Sequence, residues 1–188
     1  MATVPSPIAI TFSPAGAWDA VRSADPGWTR SLLGHVLPLA LLPGAAWPVG
    51  QALSGDLPWS AAAFAASLLS TLGFTLAAVV LLGIGFFALS AFFVPRRHWR
   101  GCLAVAAFAS TPVLLTGALL LMPVLIVASV AACIHCFALC YLGVQRVLGC
   151  PEEEAAFFVA GACMVALVAS LIVGGLCSAA GVLSFAKP

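Results

Sequence analysis

The sequence predicts an all-α polytopic membrane protein, a bundle of five transmembrane helices preceded by a short N-terminal interfacial helix. Three observations carry that prediction. All thirteen charged residues fall outside the long runs Ser31 to Gly55, Leu57 to Pro95, Gly101 to Gln145 and Ala155 to Ala186. Each run exceeds the roughly 20 residues that cross the hydrocarbon core as a helix. Hydrophobic residues make up 63% of the chain and charged residues 7%, against about 25% charged in an average soluble domain. A soluble core has no use for that much apolar surface. Finally, six of the seven Lys and Arg residues fall on one side of a membrane once five spans alternate, the bias that short cytoplasmic loops show.

Ahead of the spans, Ser13 and Pro14 suit an N-cap and first helical position. Trp18 and Val21 then share one face, while Asp19 and Arg22 are available to water. Such a helix can lie at headgroup level, so residues 1–30 are expected to form a cytoplasmic tail with an amphipathic helix and residues 31–188 a single five-span domain. The first thirty residues lack the basic start, apolar core and small-residue cleavage site of a secretory signal, so insertion through the chain's own helices is expected.

The first span, about Leu32 to Leu53, carries Pro38, Pro43 and Pro48, each of which removes a backbone donor and crowds the preceding turn, so it should bend. The second, Ala61 to Val94, is too long for one perpendicular crossing and too short for two, which favours one tilted helix. Cys102 to Leu142 accommodates two spans with a break at Pro123. The fifth span follows Pro151, with Glu152, Glu153 and Glu154 in its first turn, where carboxylates favour the helix dipole. This parity puts Arg22, Arg30, Arg96, Arg97, Arg100 and Arg146 on the cytoplasmic side with the N terminus. Lys187 and the C terminus then lie on the other side.

Span four contains the most chemical-looking stretch. Cys133, Cys136 and Cys140 form one helical stripe beside His135, residues whose thiolates and imidazole could hold a metal. A tetrahedral site needs ligands from a second segment, however, and the order is not the Cys-x-x-Cys-His of haem attachment. Cysteine also packs as a small hydrophobe, so packing is the favoured role, with Cys133, His135, Cys136 and Cys140 as low-priority metal candidates. His135 is expected to be the histidine deep within a span, hydrogen-bonded to a neighbouring helix; His35 sits on another span. No carboxylate lies within a span, and no nucleophile elbow, zinc-protease pair or phosphate loop is present, so no catalytic residue and no cofactor is assigned.

The fifth span repeats small residues at Ala162, Ala166, Ser170, Gly174 and Ser178, a ladder along which another helix can approach closely. Ser110 and Thr111, just before Pro112, can satisfy carbonyls that the proline frees. Trp18 and the Glu152 to Glu154 corner are candidate partner surfaces. A net charge of +1 offers no basic face for nucleic acid.

Taken in order, five pieces of sequence resemble the Yip family of five-span membrane proteins, named for interaction with Ypt/Rab GTPases. They are Phe12-Ser13-Pro14 followed by Trp18; Val36 to Pro43; Ala109-Ser110-Thr111-Pro112; Tyr141-Leu142-Gly143-Val144; and Pro151-Glu152-Glu153. The resemblance runs from Phe12 to Gly175, and the alanine-rich style suggests a bacterial member. It implies an all-helical bundle that organises membranes or recruits partners, without catalytic residues to carry over. Rab binding is not inferred, because the long N-terminal region of eukaryotic members is missing and span four is unusually rich in Cys and His.

Three functions are therefore weighed. The leading one is a non-enzymatic scaffold or accessory subunit of the bacterial inner membrane, partnered by the lipid bilayer and other membrane proteins. The others are a small-solute or ion transporter, and a redox subunit holding metal or haem on the Cys/His face.

Overall fold

A computed structural model describes residues 4–55, 60–94, 98–121 and 126–179. Within them the chain is helical throughout, and five helical stretches are long and apolar enough to cross a membrane: Trp28–Ser54, Ala61–Phe93, Trp99–Leu121, Val130–Leu148 and Glu152–Ile172. The all-α, five-span architecture is the expected one. The second span is a single 33-residue helix. The break expected at Pro123, the basic residues Arg96 and Arg97, and Lys187 lie outside the described residues.

Two short helices precede the spans, α1 (Pro7–Phe12) and α2 (Pro14–Ala24). Ser13 is the N-cap residue of α2 and Pro14 opens the helix, as the sequence suggests. The first span starts as α3 (Trp28–Ser31), widens into a π turn at Leu32–Val36 and continues as α4 (Leu37–Ser54). The wide turn sits just ahead of Pro38, where a proline ring would otherwise crowd the carbonyl four residues back. Span two is α5 (Ala61–Phe93), capped by the Ser60 hydroxyl, which accepts from the Ala63 amide at 3.1 Å. Span three is built from α6 (Trp99–Ala109), α7 (Thr111–Thr116) and a 3-10 turn at Gly117–Leu121. Spans four and five are α8 (Ile126–Leu148) and α9 (Glu152–Ala179).

Span three is the axis of the bundle. Every residue from Gly101 to Ala109 is buried, because α5, α8, α3, the π turn and α1 all pack around α6. Its sequence allows this: apart from Leu103, Val105 and Phe108 the side chains are glycine, alanine and cysteine, apolar on every side and small enough for close approach. By contrast α9 exposes Phe157, Met164, Leu167, Leu171 and Ile172, a lipid-facing row.

Helix α9 packs chiefly on α5. The contact is tightest at Gly85, where a Cβ would come within 2.7 Å of the Ala162 carbonyl oxygen. Ala162, the first rung of the small-residue ladder, is fully buried there; Ala166 and Ser170 are half-buried. The side chains of Gly174 and Ser178 lie outside the described residues. Backbone cannot yield as a flexible side chain can, so we expect Gly85→Val to lower the thermal unfolding midpoint in mild detergent markedly. Leu171→Ala, at a position 67% exposed, should leave it within a degree or two of the parent. Equal midpoints for the two variants would show that the α5–α9 contact is not close-packed.

Candidate functional site

A bilayer-spanning helix bundle has few polar side chains to spend at depth, so where each one goes is informative. His35 lies in the π turn and is only 6% exposed. Its Nε2 is 2.9 Å from the Thr111 hydroxyl, and its ring lies 4.2 Å, centroid to centroid, from Phe108. Thr111 Oγ1 in turn donates to the Phe108 carbonyl at 2.6 Å. That carbonyl is the one Pro112, lacking an N–H, leaves without its helical partner. Ser110 does the same for the Ala107 carbonyl at 2.8 Å. Because the single Thr111 proton goes to Phe108, the hydroxyl is an acceptor toward His35, which fixes the imidazole as the Nε2–H tautomer. Spans one and three are thus joined by a directional bond in an apolar setting.

His135 lies within span four as expected and is part-buried, while His35 is the more enclosed of the two. The His35 site depends on Thr111, 76 positions distant, and no local pattern records it. His135 does bond to a neighbouring helix: its Nε2 lies 3.0 Å from the Thr11 carbonyl oxygen. Thr11 is in the last turn of α1, where carbonyls have no intrahelical donor.

The amphipathic helix α2 buries Ala17, Trp18 and Val21 and exposes Asp19 and Arg22, the predicted division. Its apolar face meets the chain's own spans and not the headgroups. Trp18 is 0% exposed. It lies against Gly143 of α8, where a Cβ would meet the indole at 3.0 Å, in a notch that Val105 also lines. This tryptophan is therefore an internal anchor, unavailable as a partner surface in this conformation. The indole N–H finds no acceptor among the described residues, so packing is what holds it.

Charged groups gather at one end of the bundle. Arg146, in the last turn of α8, bonds both carboxylate oxygens of Asp19, at 3.1 and 3.2 Å. Asp25, the left-handed cap residue of α2, stands 3.7 Å from His98 and 3.9 Å from Arg100. All these side chains are roughly half exposed, so each pair contributes only about 0–1 kcal/mol. Between α2, α6 and α8, Asp25 and His98 border an open cavity of about 230 Å³ that Arg22 and Gly101 also line. The later turns of α2, the start of span three and the end of span four therefore meet at the same end.

The stripe on α8 is graded in depth: Cys140 is buried, Cys136 half-buried and Cys133 exposed. Cys136 and Cys140 lie four residues apart, one turn along the same face of α8. His135 points to Thr11 instead of joining them. Among the described residues no group of three His, Cys, Asp or Glu side chains is placed to hold a metal ion. Glu152, Glu153 and Glu154 are exposed in the first turn of α9. In the loop before them, burial and the nearby Glu154 carboxylate push the Cys150 thiol above its ordinary range. It stays protonated and unreactive at neutral pH.

The His35–Thr111–Phe108 chain yields a direct test. Thr111→Val keeps the shape but orphans both the Phe108 carbonyl and the His35 N–H, which should cost about 1–3 kcal/mol. Thr111→Ser keeps the hydroxyl and should stay close to the parent in thermal unfolding. Two equally stable variants would deny the bond a structural role.

A family model described as the Yip1 domain matches residues 8–174. That span takes in α1, α2 and all five candidate membrane helices. No curated protein and no solved structure matches the chain. With nearly the whole chain covered, this protein belongs to the Yip1-domain family of integral membrane proteins.

Proposed function

We propose that this protein is a non-enzymatic membrane scaffold or accessory subunit that recruits other membrane proteins through packed helices and its charged end. What supports this reading is how the polar groups at depth are used. Both histidines within the spans are bonded inside the fold, His35 to Thr111 and His135 to Thr11, and the carboxylates of the fifth span are confined to its exposed first turn, Glu152 to Glu154. A carrier or membrane enzyme places such groups where a solute or substrate can reach them. Here they join one helix to another, and the accessible polar chemistry gathers at the end bearing Arg22, Asp25, His98, Arg100 and Arg146. A partner can engage that end together with the Glu152 to Glu154 corner and the lower ladder around Gly174 and Ser178.

The test is association. Purification in mild detergent followed by mass spectrometry should recover a stoichiometric membrane partner. That partner should survive replacement of Cys133, His135, Cys136 and Cys140 by alanine, and weaken on Trp18→Ala, which unseats α2. Loss of a bound chromophore or metal from the quadruple variant, together with activity, would replace the scaffold by a redox role. A solitary protein that carries solute into liposomes would replace it by transport.

The orientation we propose has the charged end in the cytoplasm of a bacterial cell, with the chain in the inner membrane and the C terminus in the periplasm. Its support is the gathering of the later turns of α2, Arg100 and Arg146 at one end, the end where positive charge stays inside. Single cysteines at positions 97 and 146 in a cysteine-free background should react with an impermeant thiol reagent from the cytoplasmic side only. A cysteine at position 187 should react from the opposite side. Same-side labelling at 97 and 187 would overturn the five-span orientation.

A further inference from the structure

The N-terminal helices sit too deep for a headgroup anchor, and two independent rulers measure how deep. His135, bonded to the Thr11 carbonyl, is eleven residues before Arg146 on the continuous helix α8, about 16 Å along the axis at roughly 1.5 Å per residue. Arg146 marks the aqueous end of that span. The second ruler is span three, because α1 packs against α7, whose first residue Thr111 is twelve positions past Trp99, about 18 Å along the axis. Half of a hydrocarbon core of roughly 30 Å is about 15 Å. Both rulers therefore put α1 near the bilayer midplane. Helix α2 climbs from there to the charged end, passing Gly143 at Trp18, Arg146 at Asp19 and His98 at Asp25.

The chemistry of the segment suits that depth. No charged residue occurs before Asp19, and Asp19 is level with Arg146. Two of the polar side chains below it bond within the chain: Thr11 Oγ1 donates to the Pro7 carbonyl at 2.9 Å, and Ser6 Oγ accepts from the Ala9 amide at 3.3 Å. The Thr11 carbonyl, which a helix end would leave open, takes the His135 proton. Hydrocarbon demands this accounting, whereas headgroups and water would not. On the outer face, Ile8 is 68% and Phe12 78% exposed, one helical turn apart, while Ile10 on the other side is fully buried in the core.

We propose that residues 4–24 form a partial span, embedded in the leaflet where α8 ends and reaching the midplane against spans three and four, with Ile8 and Phe12 as its contact surface for lipid acyl chains. The amphipathic pattern of α2 then has a different meaning from that of an interfacial helix: its apolar face is a bundle face, and only its upper, charged turns meet water. His135 is the positioning residue that holds α1 at depth.

The experiment uses the full chain reconstituted in phosphatidylcholine vesicles. An environment-sensitive fluorophore on Phe12→Cys, in a background free of native cysteines, should be quenched most strongly by lipids spin-labelled in mid-chain. It should match a fluorophore on Ile134→Cys, beside His135, and be shielded from aqueous iodide, whereas Ser23→Cys should be open to iodide. Maximal quenching of the position-12 probe by headgroup-labelled lipid, or iodide access equal to that at position 23, would overturn the partial span. A photoreactive benzoylphenylalanine at position 12, with all native cysteines kept, gives a second readout independent of the cysteine-free background. Illumination should add the mass of one phospholipid. Cross-linked dimers without lipid adducts would reassign the Ile8–Phe12 face to a second copy of the chain.

Discussion

The structure depends on one helix without a lipid-facing side. From Gly101 to Ala109 span three is buried all round, so every neighbour must be shaped to it. Leu103 fills the space above Gly83 of α5, Val105 helps wall the Trp18 notch and Phe108 packs at a tilt against His35. In lipid no hydrophobic force drives one apolar helix onto another. Association then rests on close packing, and close packing rests on small residues. The glycines at 50, 85 and 117 are where neighbouring backbones and rings come nearest, a Cβ there meeting the Leu120 carbonyl, the Ala162 carbonyl and the Pro43 ring within 2.5, 2.7 and 2.6 Å, so larger side chains would cost most at these positions.

Proline supplies the second organising constraint. Pro38 and Pro112 each disturb a helical hydrogen-bond ladder inside the bilayer, where water cannot repair it. At Pro112 the repair is made by Thr111 and Ser110, whose hydroxyls take the Phe108 and Ala107 carbonyls. At Pro38 the chain widens into a π turn that presents His35 inward. The two irregularities lie opposite one another and are joined by the His35–Thr111 bond. A polar interaction at a helix defect is worth more for register than for stability, since it specifies which turn of span one faces which turn of span three.

The charged end is built on a different scale of force. Half-exposed pairs such as Asp19–Arg146 and Asp25–Arg100 are screened by water and salt, and can break and re-form at small cost. Trp18 and its notch hold α2 in place; the ion pairs set which way it faces. A region whose polar contacts are weak and whose apolar anchor is strong can exchange charge partners without unfolding. That property suits a surface at which other proteins are recruited.

Span number and approximate span limits were legible in the sequence, because the cost of charge in hydrocarbon is large enough to appear as thirteen charges all outside the apolar runs. Local hydrogen-bond repairs were legible too: Ser110 and Thr111 precede Pro112, and the carbonyls they satisfy are within one turn. The division of α2 into a buried and an exposed face followed from its helical period, as did the small face of α9 at Ala162. What the period could not say was what the buried face of α2 would meet, since headgroups and a neighbouring helix present the same apolar demand. The meeting of His35 with Thr111, of His135 with the Thr11 carbonyl and of Trp18 with Gly143 joins residues 76, 124 and about 125 positions apart. Those pairings depend on which helices are neighbours, and in a bundle of uniformly apolar spans that is decided only when backbones settle at the distances their small residues permit.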